Sequence, residues 1–350
     1  MSTYTLLNGY VGSKASYVSK ITSLFDSTCF KYCEPFVGGG AIYFSFPNGR
    51  YKKEWINDAD ANISNLYAVL ANPKTCEATV NELIKIEKSN NEEVARALFD
   101  ESKKKLMNSS YMPSDMDAER RIEWAKNTYR AYSQSFNCSA KNYSKQKNGE
   151  KYSYEIRRNV KNAVERLKSK PIVTCKKGVE VIKKVAKQSG VQLFIDSPYV
   201  GLYRNDSSLY RTEMASLYEH IEMARALKDS KAAVVMCGYR SNIEGVPTIY
   251  DAILGDEWMC LKLSDTVKNC MVVKAGEKKQ KATEYVWTNR IPPKRAKLSL
   301  SMMDYKEKMS EDEYWEKIRK ACLEQRVPEK HIAEYCDCYR RLYGKELIEI

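Results

Sequence analysis

Seven short apolar runs punctuate the chain: 31–36 (KYCEPF), 53–57 (KEWIN), 171–175 (PIVTC), 191–196 (VQLFID), 231–237 (KAAVVMC), 257–263 (EWMCLKL) and 284–288 (EYVWT). Each has strand length and polar or turn-forming flanks, so each predicts a buried strand. Between several of them the apolar positions recur at helical spacing, in 61–71 (ANISNLYAVLA), 178–187 (GVEVIKKVAK) and 213–228 (EMASLYEHIEMARALK). Strands alternating with helices predict an α/β fold around a largely parallel sheet, with ligands at the carboxyl ends of its strands.

The alternation fails once. Residues 76–170 hold only helical or polar text: Ser114 precedes a long amphipathic pattern through Tyr132, and 153–168 is a second helix candidate. This stretch predicts an inserted helical domain. After Asn289 the segment RIPPKRAK reads as a linker. Ser310 and Glu313 then have the spacing of a capping box, Pro328 can open a further helix, and Gly344 can close it. The expected organisation is a cofactor-binding part at 1–75, a helical insertion at 76–170, a catalytic part at 171–290 and a helical extension at 291–350. There is no internal repeat and no low-complexity tract.

Composition narrows the classes. A chain of 350 residues can bury a full core. No apolar run approaches the roughly 20 residues a spanning helix needs, and the start MSTYTLLNGYVGSK lacks a signal segment, so a soluble, cytoplasmic protein is expected. The eleven cysteines do not form the paired Cys-x-x-Cys knots of a zinc site, and two histidines, His220 and His331, offer little for a metal. No metal is expected.

Charge adds a partner. The net charge is +13, and residues 141–187 carry fifteen Lys or Arg against four Glu. So concentrated a patch is the footprint of a polyanion, although a solvated helix surface also accounts for it. Tyr129, Tyr132, Tyr143, Tyr152 and Tyr154 are interleaved with those cations, which suits phosphate contact together with base stacking.

Three stretches carry candidate chemistry. LFIDSPYVGLY (193–203) ends a buried strand on Asp196, Ser197, Pro198 and Tyr199. Alone this is ordinary turn chemistry. KYCEPFVGGGAIYFSF (31–46) runs a strand into three glycines without dehydrogenase or P-loop spacing, and Asp58 follows at the tip of the next strand. An acid there can accept from the ribose hydroxyls of an adenosine-bearing ligand; a turn with a helix cap at Asp58 or Asp60 is the other reading. GYVGSK (9–14) is a glycine-rich turn leading to Lys14, able to meet an anion.

Together these pieces resemble the D12 class of DNA adenine-N6 methyltransferases, the Dam-type family of bacteria and their phages. The resemblance rests on Gly9 to Lys14, on EPFVGGG (34–40) for the family's EPFVGxG, and on INDADANISNLY (56–67). It continues with SFNCSAKNY (135–143) for a Phe-Asn-containing DNA segment, DSPY (196–199) for Asp-Pro-Pro-Tyr, and EYVWTN (284–289) for a closing strand. Order and spacing agree from about residue 5 to 290. Ser197 departs from the family's first proline, and Cys138 stands where glycine is usual.

The resemblance implies a seven-stranded, Rossmann-like, S-adenosylmethionine-dependent methyltransferase sheet with a helical target-recognition insertion and a helical C-terminal extension. It implies S-adenosylmethionine as cofactor, held by Tyr10, Gly12, Lys14, Glu34, Phe36, Gly38, Gly39, Gly40, Asp58 and Asp196. It implies catalysis by Asp196, Ser197, Pro198 and Tyr199 on a flipped adenine in double-stranded DNA. Asn137, Lys141, Tyr143, Lys145, Lys147, Arg157 and Arg158 are the expected DNA contacts, and the cytoplasm of a bacterium or phage-infected host is the expected location. Two alternatives stay open: a catalytically weakened DNA-binding protein of the same fold, and an RNA or cytosine-N4 methyltransferase.

Overall fold

The computed structural model describes residues 5–85, 91–108, 116–145, 149–203, 211–214, 216–241, 243, 245–264, 283–292 and 309–348; within 149–153 and at 203 it describes the backbone alone. Each of the seven apolar runs coincides with one strand, β5 running one residue further: β1 (Lys31–Glu34), β2 (Lys53–Asn57), β3 (Ile172–Thr174), β4 (Val191–Ile195), β5 (Ala233–Gly238), β6 (Met259–Lys262) and β7 (Tyr285–Thr288). They form one sheet in the order β3-β2-β1-β4-β5-β7-β6. The pairs β1/β2, β2/β3 and β4/β5 are parallel, whereas β7 runs antiparallel to both β5 and β6. The sheet is therefore mixed. Every residue of β4 and β5 is buried, as expected for parallel strands covered on both faces.

The chain divides into two units. The first comprises Met1–Ser19, Phe30–Val181 and Leu209–Thr212. It holds β1 to β3, with α2 (Ala61–Ala71), α3 (Pro73–Ile84), α4 (Glu92–Lys104), α5 (Ala118–Ser133) and α6 (Gly149–Leu167); the short α1 (Val18–Ser23) and α7 (Gly178–Val185) lie at the divisions. The strand ends are tied by Asn57, whose amide donates to Pro35 O (2.8 Å) and Lys176 O (2.9 Å) and accepts from Thr174 Oγ1 (2.7 Å). Between the two acids expected as caps, it is Asp60 that caps α2, accepting from Asn62 N. Side-chain amides then dock α5 on α2: Asn62 Oδ1 accepts from Trp124 Nε1 (2.8 Å), and Asn65 Oδ1 from Arg121 Nε (2.9 Å).

α5 begins at Ala118. Its cap is Asp117, which accepts from Arg120 N at 2.8 Å; Ser114 lies outside the described residues. An ionised carboxylate at a helix N-terminus satisfies the exposed N–H groups and meets the helix dipole.

The second unit comprises Lys20–Cys29, Ile182–Ser208 and Glu213–Ile350. It holds β4 to β7, α8 (Leu217–Leu227), α9 (Ile249–Ile253), α10 (Glu311–Leu323) and α11 (Glu329–Tyr343). The capping box at Ser310 and Glu313 is present with both of its hydrogen bonds, and Gly344 ends α11 in the left-handed conformation (φ 66°). α10 packs on α9 and α11 on α8, burying Tyr314, Trp315, Ile318 and Tyr335. Glu334 on α11 accepts from Leu217 N at 3.0 Å and so caps α8, which starts later than the pattern predicted. The extension is thus part of the second unit's core. Among the described residues no helix is long and apolar enough to cross a membrane.

Candidate active site

In the first unit the chain from Gly9 to Lys14 makes two tight turns, with Gly9 and Gly12 at φ 79° and 73°. Lys14 is 3% exposed, and its ammonium donates to Gly12 O at 2.8 Å. Tyr10 lies against the glycine turn after β1. A Cβ on Gly38, whose φ is 46°, would stand 2.7 Å from the Tyr10 ring, and one on Gly40, at φ 74°, would stand 2.6 Å from the Phe44 ring. A Cβ on Gly39 would likewise meet Tyr10, at 2.8 Å. The space a side chain would need is taken by the chain's own aromatic rings, so glycine is required here by packing as well as by conformation.

Asp58, at the tip of β2, closes this turn. Its Oδ2 accepts from Gly38 N (2.8 Å) and its Oδ1 from Asp60 N (2.9 Å). Burial first, and the charge of Asp60 second, push its pKa up to about 7, against the pull of those N–H donors. Tyr67 donates to Gly38 O at 2.9 Å. Glu34 is buried in β1 and accepts from Tyr32 at 2.7 Å, while Phe36 covers Gly178. The structure therefore brings Tyr10, Gly38, Gly39 and Asp58 together and sets Glu34 and Phe36 into packing roles beside them.

A pair joining the cap of α2 to α5 completes this region. Tyr132, on α5, donates to Asp60 Oδ2 and stacks on Tyr10, with ring centroids 6.2 Å apart. The helical insertion is thereby joined to the acidic strand tip. Nothing local to Tyr132 in the sequence signals a partner 72 residues away.

In the second unit, Asp196 to Tyr199 leave the carboxyl end of β4. The Tyr199 hydroxyl donates to Glu284 Oε2 (2.7 Å) and to Asp196 Oδ1 (3.3 Å). Burial, then the charges of Glu284 and Asp196, raise the Tyr199 pKa well above its ordinary value, so the hydroxyl keeps its proton. The ring is 9% exposed and meets Tyr239 edge to face at 4.5 Å. Glu284 was expected only as the head of a strand; an acid opening the apolar run EYVW was the available signal, since a buried carboxylate needs a donor. Ser197 is 3% exposed, and its hydroxyl has no hydrogen-bond partner among the described residues.

The expected nucleic-acid contacts fall on two elements of the first unit. Residues 134–144 form a closed loop, pinned by Phe136 N to Asn142 O (2.9 Å) and Ser144 N to Gln134 O (2.8 Å). Asn137, Cys138 and Ala140 all have positive φ, at 52°, 47° and 54°. This accounts for glycine being usual where Cys138 stands; the cysteine is held by burial and by its thiol donating to Asn8 O at 2.9 Å. The loop exposes Phe136, Asn137, Lys141 and Asn142. Tyr143 instead packs on Phe99 with Arg96 over its ring, and Lys145 pairs with Glu92 at 2.6 Å. On α6, Ile156, Val160, Ala163 and Leu167 face inward while Arg157, Arg158 and Lys161 face solvent. Lys147 lies outside the described residues.

A family model described as D12 class N6 adenine-specific DNA methyltransferase matches residues 10–259. The match takes in the glycine turn, Asp58, the 134–144 loop and Asp196 to Tyr199, and ends before Glu284 to Asn289, the last motif of the resemblance. No curated protein matches the chain.

Proposed function

The chain belongs to the D12 class of N6 adenine-specific DNA methyltransferases, and on that premise we propose that it moves a methyl group from S-adenosylmethionine to N6 of an adenine turned out of double-stranded DNA. The observation that carries the reading is the placing of a carboxylate and an aromatic ring, Asp196 and Tyr199, on the segment that leaves the buried strand β4. Open α/β sheets bind and react their ligands at this edge.

The residues around the glycine turn fit the cofactor. Asp58 offers carboxylate lone pairs to ribose hydroxyls, and the turn Gly38 to Gly40 presents backbone beside Tyr10. Tyr10, Gly12, Lys14, Glu34 and Phe36 build and brace that surface. S-adenosylmethionine, when bound, supplies a methyl group already activated on a sulfonium, so the chain's contribution is positioning and charge.

An exocyclic adenine amine is a weak nucleophile because its lone pair is delocalised into the ring. Two acceptors on its N–H bonds favour a more tetrahedral nitrogen. Asp196 supplies one and the Ser197 main-chain carbonyl the other, and because the second is backbone, serine serves as well as proline. Close packing around Ser197 takes over the restraint a pyrrolidine ring would impose. Tyr199 stacks on the extruded base, a contact worth roughly 1–3 kcal/mol that offsets part of the unstacking cost. Asn137, Lys141, Tyr143, Lys145, Lys147, Arg157 and Arg158 are assigned to the duplex, the cations among them to its phosphates.

The test is incubation of the purified chain with labelled S-adenosylmethionine and unmethylated duplex DNA, followed by digestion and chromatography of the nucleosides. N6-methyldeoxyadenosine is expected from the wild type, and none from Asp196→Ala despite retained DNA binding. Full activity in Asp196→Ala would remove the acid from the mechanism. A wild type that binds both cofactor and DNA yet transfers nothing would identify a weakened binding protein.

A further inference from the structure

Inside the second unit, the loop that leaves β5 and the C-terminal extension border an open pocket of about 390 Å³. Arg240, Lys317, Lys320 and Arg326 line it together with the hydroxyl side chains Ser241 and Thr248, and among the described residues no acid is in the lining. Acids hold the cations from outside. Asp251 lies 2.7 Å from Arg240, and Glu324 lies 2.6 Å from Arg326 and 3.9 Å from Lys320.

The hydroxyls suit an anion as well. Thr248 Oγ1 accepts from Ser241 N (2.9 Å) and Ser241 Oγ accepts from Ile243 N (3.3 Å). A hydroxyl used as an acceptor still has a proton to donate. Gly245, at φ 70°, lets the Arg326 guanidinium lie on the loop, since a Cβ there would stand 2.3 Å from Nη1. Four cations and two hydroxyls thus converge on one pocket, half of the cations coming from α10 and one from the turn after it.

Its position gives the pocket a partner. β4 and β5 are parallel neighbours with Ile195 opposite Met236, so the segments leaving them emerge at the same edge of the sheet. Tyr199 from the first segment packs on Tyr239 from the second, and Arg240 is the next residue. Resting on the function proposed above, we infer that this pocket binds a phosphate group of the DNA substrate, which makes the C-terminal extension a second anchor for the duplex beside Asp196 to Tyr199. A small phosphorylated ligand would offer the same chemistry. The duplex is favoured because Lys320 keeps 69% of its side chain in solvent, where a backbone too bulky for the pocket can reach it.

The experiment compares the full chain with Lys317→Ala/Lys320→Ala and with Lys228→Ala/Lys231→Ala, a pair that precedes the amino end of β5. Duplex affinity is measured against salt concentration. Each phosphate contact contributes about 0.9 to the slope of log affinity on log salt. The pocket pair is expected to lower that slope by about 1–2 and affinity at fixed salt about tenfold, with an unchanged melting temperature, while the control pair changes neither. A pocket pair with wild-type slope overturns the assignment to DNA. If that pair also abolishes a pyrophosphate binding that the wild type shows by calorimetry, the pocket belongs to a small phosphorylated ligand instead. The slope is read without methyl transfer, so a chain that transfers no methyl group but shows the slope change refutes the enzymatic reading and keeps the pocket.

Discussion

Asp58 combines two demands that pull in opposite directions. Its folded pKa of about 7 lies above the ordinary carboxylate value, so the folded chain holds a proton between about pH 4 and 7 that the unfolded chain has released. The stability this contributes is complete below about pH 4 and is lost as pH rises through 7. In the proposed role of Asp58 toward the cofactor ribose, however, the ionised form is the better acceptor. The expected outcome is a melting temperature that falls and an S-adenosylmethionine affinity that rises from pH 6 to 8, both flattened in Asp58→Asn; scanning calorimetry and titration calorimetry check the pair. Ser197 gives a second expectation. Its enclosed hydroxyl has no partner among the described residues, and a desolvated polar group costs about 1–3 kcal/mol. Ser197→Ala is therefore expected to gain about 1 kcal/mol of stability by denaturant titration, and, on the proposed mechanism, to keep its turnover because the main-chain carbonyl is unchanged.

The helix α6 presents the basic face and depends on one buried ion pair. Arg166 donates twice to Glu54 on β2, Nη2 to Oε1 at 2.8 Å and Nη1 to Oε2 at 2.9 Å, and its guanidinium lies 4.0 Å from the Tyr43 ring centroid. Ser169 adds a hydrogen bond to the same carboxylate at 2.6 Å. Removing one partner leaves the other charged and dry, which costs about 3–5 kcal/mol. Arg166→Met is expected to lose that much in urea unfolding, and Arg166→Met/Glu54→Leu to regain most of it. A single variant as stable as the wild type would show that solvent reaches Glu54. The 134–144 loop works by the same logic of local restraint: three residues at positive φ are held by backbone pairing at 134–144 and 136–142, which keeps Asn137 and Lys141 outward.

The extension after residue 308 is not a separable appendage. It buries Tyr314, Trp315, Ile318 and Tyr335, caps α8 through Glu334, and lays Arg341 over the Tyr218 ring at 4.2 Å. Each large apolar side chain contributes roughly 1.5–3 kcal/mol, so their joint loss rivals the whole stability of a domain, about 5–15 kcal/mol. A chain ending at residue 308 is expected to collect in the insoluble fraction, and a soluble product with a cooperative melt would contradict the packing described. The extension lies beyond residues 10–259, the stretch that the family model matches.

The seven strands could be read from the amino-acid order because an apolar run flanked by turn formers has few places to go but a core, and burial acts on each run independently. The same holds for α2, for the Ser310 capping box and for Gly344, whose signals lie within one helical turn. Partner choice is another matter. Nothing near Tyr285 announces that its strand runs antiparallel between β5 and β6, nothing near Arg166 points to Glu54, and Lys317 and Arg240 are separated by most of a domain in the chain. Asp117, by contrast, caps α5 by a signal as local as the Ser310 capping box, a carboxylate accepting from Arg120 N within the first turn. Residue type states what a side chain can donate, accept or bury; the long-range packing of strands and helices chooses the atom it does so with.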